Sequence, residues 1–144
     1  MRTLQELCEA IQSHETLEGV VTACYAPTDS PRKIGSLKEI DDFLLSCGYT
    51  SLGVKWIPLN RSEAIKHLQE MLNISLAYGT EMLSKEESER LAQEFSNFFS
   101  SENSVWFTNG NRYGWNPVTK STFENATVVL DETNIALVLF EDED

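Results

Sequence analysis

The chain has 144 residues, of which 41% are hydrophobic and 10% aromatic, values typical of a globular protein rather than a disordered one. Its formal net charge is −12, from 23 acidic and 11 basic residues. Nucleic-acid phosphates and anionic lipid surfaces are bound through clusters of Lys and Arg, so this charge argues against both kinds of partner. It is compatible with a basic protein partner, with a bound cation, or simply with solubility.

The length predicts a single globular domain over residues 1–144. The segment Met1–Glu6 has no apolar stretch of the kind found in secretory signals, and no apolar run is long enough to cross a membrane. We therefore expect a cytoplasmic protein. Three cysteines without zinc-site spacing lie in apolar surroundings, and we expect buried free thiols at Cys8, Cys24 and Cys47.

Four segments begin with a capping residue followed three positions later by Glu, the pattern of a helix capping box. Apolar residues at helical spacing follow each start. The capping pattern and the apolar spacing together predict helices over about residues 4–13, 37–46, 61–78 and 85–99. The four capping residues are Thr3, Ser36, Asn60 and Ser84.

Two short strands are predicted between these helices. Residues 19–25 are rich in β-branched side chains, and Pro27 is expected to end that strand. Residues 52–58 alternate between apolar positions, among them Val54 and Trp56, and positions expected to face solvent.

From residue 104 onwards the pattern becomes that of strands. Asn109-Gly110 lies between two short aromatic runs and predicts a hairpin with a type I′ turn. Residues 122–130 and 135–140 predict a second hairpin whose strands, having few polar residues, are covered on both faces. The whole order predicts an α+β fold: a mainly antiparallel sheet with C-terminal hairpins, packed with about four helices.

Residues suited to catalysis are few. Asp41 and Asp42 are adjacent on a predicted helix and therefore point in different directions, with Asp41 expected to face solvent. His14, at a predicted helix end, and His67, within a helix, are interpreted as surface histidines. No local nucleophile signature such as Gly-x-Ser-x-Gly occurs, so only a site dispersed along the sequence could make the chain an enzyme.

No metal site and no cofactor is predicted. The closing acids Glu141–Asp144 offer the oxygen ligands that calcium and magnesium prefer. They lack the glycine and the spacing of a calcium-binding loop. A solvated tail that binds cations only weakly is the simpler interpretation.

The acid excess is concentrated near the end of the chain. Residues 101–144 contain eight acids and two bases, giving −6, which is half of the total charge. This distribution indicates either an acidic binding face or a solvated tail. Tyr and Trp are typical interface anchors, although core packing is the alternative for both aromatics of the first hairpin. The predicted partner-binding residues are Tyr113, Trp115, Asp131, Glu132, Glu141, Asp142, Glu143 and Asp144, with Asp41 and Asp42 as a second acidic patch.

Three features of the chain are similar to those of bacterial toxin-immunity proteins, which are encoded beside contact-dependent growth inhibition toxins and other polymorphic toxins. They are the terminal segment Leu137–Asp144, the segments Trp106–Gly110 and Trp115–Pro117, and the small acidic α+β profile. The resemblance implies a cytosolic, non-enzymatic inhibitor without a cofactor. Such a protein binds one cognate basic toxin domain, often a nuclease, and occludes its active site.

Charge gives this hypothesis physical support, because an acidic surface can mimic phosphate and opposite charges accelerate association. Two alternatives remain. The chain could be an adaptor or regulatory module that binds a cellular protein through the aromatic hairpin. It could also be an enzyme whose pocket collects His14 or His67 with a cysteine and an acid.

Overall fold

The computed structural model describes residues 2–13, 19–28 and 37–143. Within these ranges it has four helices, a five-stranded antiparallel sheet and a two-stranded ribbon, which confirms the predicted α+β class. The helices are α1 (Leu4–Gln12), α2 (Leu37–Ser46), α3 (Arg61–Asn73) and α4 (Lys85–Ser96). The strands are β1 (Val20–Pro27), β2 (Ile57–Leu59), β3 (Val105–Thr108), β4 (Gly110–Asn111), β5 (Gly114–Trp115), β6 (Phe123–Leu130) and β7 (Asn134–Asp142).

The sheet is built around the hairpin formed by β6 and β7. Its strand order is β1-β7-β6-β3-β2, and every neighbouring pair is antiparallel. β6 and β7 pair from Phe123 opposite Asp142 to Leu130 opposite Ile135. The predicted second hairpin is thus confirmed, and it occupies the centre of the sheet.

Helices cover both faces of the sheet, which explains why β6 and β7 are apolar along most of their length. α1, α3 and α4 pack on one face, against alternate strand residues such as Val129 and Val138. α2 packs on the other face, against the intervening residues such as Val128 and Leu137. Because side chains alternate across a strand, a strand covered on both faces has apolar residues at consecutive positions.

The predicted helix starts are confirmed where the structure describes them. Capping boxes form at Thr3 with Glu6 and at Asn60 with Glu63, and the Ser84 hydroxyl accepts from the backbone of residue 87. Ser36 lies outside the described residues. α1 and α2 have essentially their predicted bounds.

α3 and α4 end earlier than predicted, and a side-chain hydrogen bond accompanies the end of each helix. α3 stops at Asn73, whose side-chain amide donates to the Leu83 carbonyl at 2.7 Å, and the chain then folds back. α4 stops at Ser96, where the Arg61 guanidinium binds the carbonyl oxygens of Ser96 at 2.7 Å and Phe99 at 3.2 Å. A cation at the carboxyl end of a helix stabilises its unpaired carbonyl groups.

The strand prediction for residues 52–58 is wrong over most of its length. Gly53–Lys55 form a short 3₁₀ turn, and only Ile57–Leu59 join the sheet. Val54, predicted to point inwards, is 90% exposed. β1, in contrast, continues through Pro27 opposite Asn134, since a strand at the sheet edge does not need every N–H group for pairing.

No helix in the described residues combines the length and apolar character needed to span a membrane.

Candidate protein-binding surface

The ribbon formed by β4 and β5 differs from the hairpin predicted there. Gly110 pairs with Trp115 and Asn111 with Gly114, so the turn residues are Arg112 and Tyr113 rather than Asn109-Gly110. A type I′ turn requires positive φ at both central positions. Among the described residues only glycines have positive φ, so Asn109 does not adopt the predicted conformation.

Asn109 lies in the interior, at the base of the ribbon. Its side-chain amide donates to the Asn116 carbonyl at 3.1 Å and to Glu124 Oε2 at 2.9 Å. Its Oδ1 accepts from the Ala126 backbone N–H at 2.8 Å. One buried amide therefore joins the two ends of the ribbon to the central strand β6.

Glu124 is fully buried, and four donors surround its carboxylate. Oε2 accepts from the Asn109 side chain and from the Val118 backbone N–H at 2.8 Å. Oε1 accepts from the backbone and the hydroxyl of Thr119, at 2.9 and 2.6 Å. Glu124 was not among the predicted site residues. A lone acid in an apolar central strand was the available signal, because a buried carboxylate requires donors around it.

Glycine is required at the start of the ribbon. Gly110 has a φ of +151°, and a Cβ placed on it would lie 2.2 Å from the Gly114 carbonyl oxygen and 2.5 Å from the Trp115 Cα. The strands of the ribbon can approach this closely only when the position carries no side chain.

The tip of the ribbon is fixed from both sides. The Arg112 guanidinium donates to the Ser75 carbonyl at 3.1 Å and to the Ile74 carbonyl at 3.2 Å. The Tyr113 backbone N–H donates to Asn111 Oδ1 at 2.9 Å. The Tyr113 side chain is nevertheless 90% exposed. A constrained backbone thus presents an aromatic ring to solvent.

Trp115 packs the ribbon against the start of β6. It is half-buried, and its ring centroid lies 6.0 Å from that of Phe123 in a tilted arrangement. The next residue, Asn116, donates from its side chain to the Lys55 carbonyl at 3.4 Å. Trp115 remains a predicted contact residue, but part of its ring is already engaged within the chain.

Two of the predicted partner-binding acids are buried and bind backbone amides. Asp131 is 6% exposed; its Oδ1 accepts from the N–H groups of Thr133 and Asn134, and its Oδ2 from that of Ser100. Asp142 is also buried, and its Oδ2 accepts from the Ala77 N–H at 3.1 Å. These carboxylates hold loops to the sheet and contribute little to the accessible acidic surface.

The remaining C-terminal acids lie at opposite ends of β7. Glu132 is exposed in the turn before β7, whereas Glu143 is exposed after its end. Nine residues of strand place these ends roughly 25 Å apart. Glu141 is half-buried and accepts from the Ser121 hydroxyl at 2.7 Å. Asp144 lies outside the described residues.

Thr122 fixes the position of Glu143. Its hydroxyl and its backbone N–H both donate to the Glu143 carboxylate. These hydrogen bonds lower the pKa of Glu143, because they favour its charged form. The closing acids, as far as the described residues extend, are therefore held by residues outside the strands: Ser121 and Thr122 before β6, and Ala77 after α3.

The second acidic patch is divided between the interior and the surface. Asp41, expected to face solvent, is partly buried and accepts from the N–H groups of Leu52 at 3.0 Å and Gly53 at 2.9 Å. It also accepts from the Trp56 indole N–H at 2.9 Å. The expectation that Asp41 faces solvent is wrong. Its three hydrogen bonds explain why Gly53–Lys55 form a 3₁₀ turn. Asp42 is exposed and pairs with Lys38 at 2.9 Å.

His67 is not the surface residue that was expected. It is a partly buried residue of α3, and its Nε2 lies 3.4 Å from the Thr108 hydroxyl. Burial lowers the pKa of His67, with Arg112 adding to the effect, while Glu70 and Asn125 oppose it. His14 lies outside the described residues. Over residues 2–13, 19–28 and 37–143, no three His, Cys, Asp or Glu side chains are arranged to hold a metal ion.

Several residues with exposed aromatic or acidic side chains lie on segments that meet at the same end of the sheet as the ribbon. Arg112 binds the carbonyl of Ile74, which itself forms a β-bridge with Glu81. The Ala77 N–H binds Asp142, so the residues that follow each of them, Tyr78 and Glu143, lie close to the same end of the sheet. Tyr78 is 64% exposed, and both acids are exposed. We name the following residues the ribbon surface: Tyr78, Glu81, Tyr113 and Glu143.

No family model matches the chain, and neither a curated protein nor a solved structure is significantly similar to it. Its function is therefore inferred from the ribbon surface and from the charge of the chain.

Proposed function

We propose that the protein is a non-enzymatic inhibitor of the toxin-immunity type, which binds a basic toxin domain and blocks that domain's active site. A nuclease-like toxin fits best, because a phosphate-binding site is positively charged and accepts an acidic mimic. The inhibitor would act in the cytoplasm of the cell that makes it, as a stoichiometric partner.

The single observation that carries the proposal is the exposure of Tyr113 on a constrained ribbon. A protein pays an entropic cost when it immobilises a contact residue on binding. Here Arg112 and Asn111 already fix the backbone around Tyr113, so that cost is reduced. An aromatic residue presented in this way has the properties of an interface hot spot.

The charge around Tyr113 favours a basic partner. Glu81 is exposed opposite Ile74, whose carbonyl Arg112 binds, and Glu143 is exposed after the end of β7. The guanidinium of Arg112 itself is directed onto carbonyl oxygens. The net charge of −12 also produces a long-range attraction for a positively charged domain. Steering of this kind increases the association rate, which suits an inhibitor that must reach a toxin before its substrate does.

The decisive experiment measures binding to the product of the neighbouring gene, purified as its C-terminal domain. We expect a stable one-to-one complex whose association rate falls as NaCl is raised from low to high concentration. Absence of a complex at low salt would reject the proposal. Inhibition of the toxin's activity at equimolar inhibitor would complete the test.

Matched variants locate the contact. Glu81→Gln and Glu143→Gln remove charges from the ribbon surface, whereas Glu132→Gln removes one at the opposite end of β7. We expect the first two to slow association and the third to have little effect. Equal effects of all three would indicate a general charge contribution instead of a contact at the ribbon.

An adaptor module that uses the same ribbon is the second candidate, favoured by the exposure of both Tyr78 and Tyr113. It predicts a partner bound mainly through the aromatic rings, with an association rate that salt hardly changes. The salt series therefore separates the two functions. Tyr113→Ala is a cleaner probe than Trp115→Ala, because Trp115 also packs against Phe123.

A further inference from the structure

Two cysteines distant in sequence meet at the edge of the sheet. Cys24 lies in β1 and Cys47 directly follows the last residue of α2, yet their Sγ atoms are 3.8 Å apart. Both side chains are partly buried and pack against the core on the α2 face. The third cysteine, Cys8, is buried in the core on the other face.

The framework around the pair holds both positions in place. β1 pairs with β7 along its whole length, and Cys24 lies opposite Leu137 near the middle of that pairing. The Cys47 backbone N–H donates to the carbonyls of Phe43 and Leu44, each at 3.1 Å, which continues the last turn of α2. The short Sγ–Sγ distance is therefore a consequence of the packing of α2 on the sheet.

We propose that Cys24 and Cys47 are a site of reversible disulfide formation, with a low-molecular-weight disulfide as the oxidant. The sulfurs must approach from 3.8 Å to about 2.05 Å, a movement that side-chain rotation and a small helix shift can supply. In a reducing compartment the pair remains a dithiol, and the bridge forms when the small disulfide accumulates. The inference is independent of the proposed binding partner.

The reaction is an exchange in two steps. The thiolate of Cys47 attacks one sulfur of the small disulfide, forms a mixed disulfide and releases the other half as a thiolate. Cys24 then loses its proton, attacks the Cys47 sulfur and expels the second thiolate. The protein loses two protons and two electrons, and the small disulfide is reduced to two thiols.

Burial, with an added contribution from Cys47, raises the pKa of Cys24 to about 12. Its thiolate is therefore scarce at neutral pH. The second step, in which Cys24 attacks the Cys47 sulfur, should be slow and should accelerate as the pH rises. Burial also raises the pKa of Cys8 to about 11, and that residue is enclosed in the opposite core. We therefore expect Cys8 to stay reduced in the folded protein.

The test incubates the full chain with glutathione buffers of increasing oxidised fraction, followed by alkylation under denaturing conditions and peptide mass mapping. We expect a Cys24–Cys47 bridge, a free Cys8, and an intact mass lower by two hydrogen atoms. The bridged protein should melt roughly 5–10 °C higher, because the crosslink restricts the unfolded chain.

Variants make the result specific. Cys8→Ser should form the bridge as the wild type does, whereas Cys47→Ser should not. Three free thiols at full oxidation, a glutathione adduct that persists on Cys47, or a bridge to Cys8 would each overturn the proposal. Oxidation in urea provides the remaining control, since unfolding should abolish the preference for Cys24 with Cys47.

Discussion

Asn109 donates a hydrogen bond of 2.9 Å to the fully buried carboxylate of Glu124, 15 residues later in the chain. This contact joins the ribbon to the centre of the sheet and fixes the base from which Tyr113 projects. It also makes Asn109 a structural residue in place of the turn residue that the Asn-Gly dipeptide predicted.

Asn109→Ala should destabilise the protein by about 2–4 kcal/mol, because it removes a donor from Glu124 and leaves the buried Ala126 N–H without its acceptor. Urea denaturation measures the change. Asn111→Ala is the matched control, as Asn111 is exposed and its side chain accepts from the Tyr113 N–H. Equal losses from both variants would contradict a special role for Asn109.

Gly110→Ala should cost at least about 2 kcal/mol, since the added Cβ would meet the opposite strand of the ribbon in a strained backbone conformation. Gly114→Ala in the same ribbon should change stability by less than about 0.5 kcal/mol, because its Cβ would meet nothing within 4 Å. Thermal unfolding, followed by the near-ultraviolet circular dichroism of the tryptophans, measures the stability of both variants. Tolerance at Gly110 would rule out the close approach described for the ribbon.

Asp41→Ala should destabilise the protein by about 2–3 kcal/mol, because two backbone N–H groups and the Trp56 indole lose their acceptor. The adjacent Asp42→Ala should cost no more than about 0.5 kcal/mol, as its ion pair with Lys38 is exposed. Chemical denaturation of the two variants compares neighbouring acids of opposite role. A larger loss of stability in Asp42→Ala than in Asp41→Ala would contradict the structural role given to Asp41.

Stability should fall as the pH drops below the ordinary pKa of histidine, 6.5, and His67 should contribute to the fall. The folded state lowers the pKa of His67, so the unfolded chain binds the proton more readily; the stabilising contribution is present above pH 6.5 and is lost as the pH falls through the folded pKa. The charged and polar groups facing His67 are Arg112, Glu70, Asn125 and Thr108.

The measurement compares urea midpoints of the wild type and His67→Gln at pH 7.5 and 5.5. The variant should show the smaller decrease, since it lacks the titrating group while the other ionisable groups are unchanged. Parallel decreases in the two proteins would show that His67 is not responsible.

Tyr113→Ala should change the free energy of unfolding by less than about 0.5 kcal/mol, because the ring is exposed, yet it should weaken binding to the cognate domain about 30-fold. Trp115→Ala should cost about 1–3 kcal/mol in stability through its contact with Phe123. Denaturation and calorimetric titration separate the two effects. Tyr25→Ala, which changes an exposed tyrosine of β1, is the binding control. Unchanged affinity in Tyr113→Ala would remove Tyr113 from the interface.

Local signals in the sequence were sufficient for most of the fold. Capping residues and helical periodicity located the helices, and the apolar runs of β6 and β7 identified the central hairpin. These features are governed by residues three or four positions apart or by burial of a whole strand. The strand predicted over residues 52–58 failed because Asp41, more than ten residues away, takes its amides.

The candidate site was predicted less well, because exposure depends on partners that sequence spacing does not reveal. Tyr113 is exposed as a contact residue must be, and Glu132 and Glu143 are accessible acids. Asp131 and Asp142 are equally acidic in sequence but lie in the interior. Tyr78 and Glu81 were not recognised, since their place beside the ribbon depends on the folding back of the chain after α3.

The sequence by itself determined the α+β class, the helix starts and the acidic character of the chain, because each follows from composition or from near neighbours. The tertiary structure decided which acids stay on the surface and how far Tyr113 projects from it. The distances along the chain give the reason: Asp131 binds an amide 31 residues away, and Asp142 binds one 65 residues away. Only the folded chain brings such donors to a carboxylate, and their presence determines whether an acid can be buried.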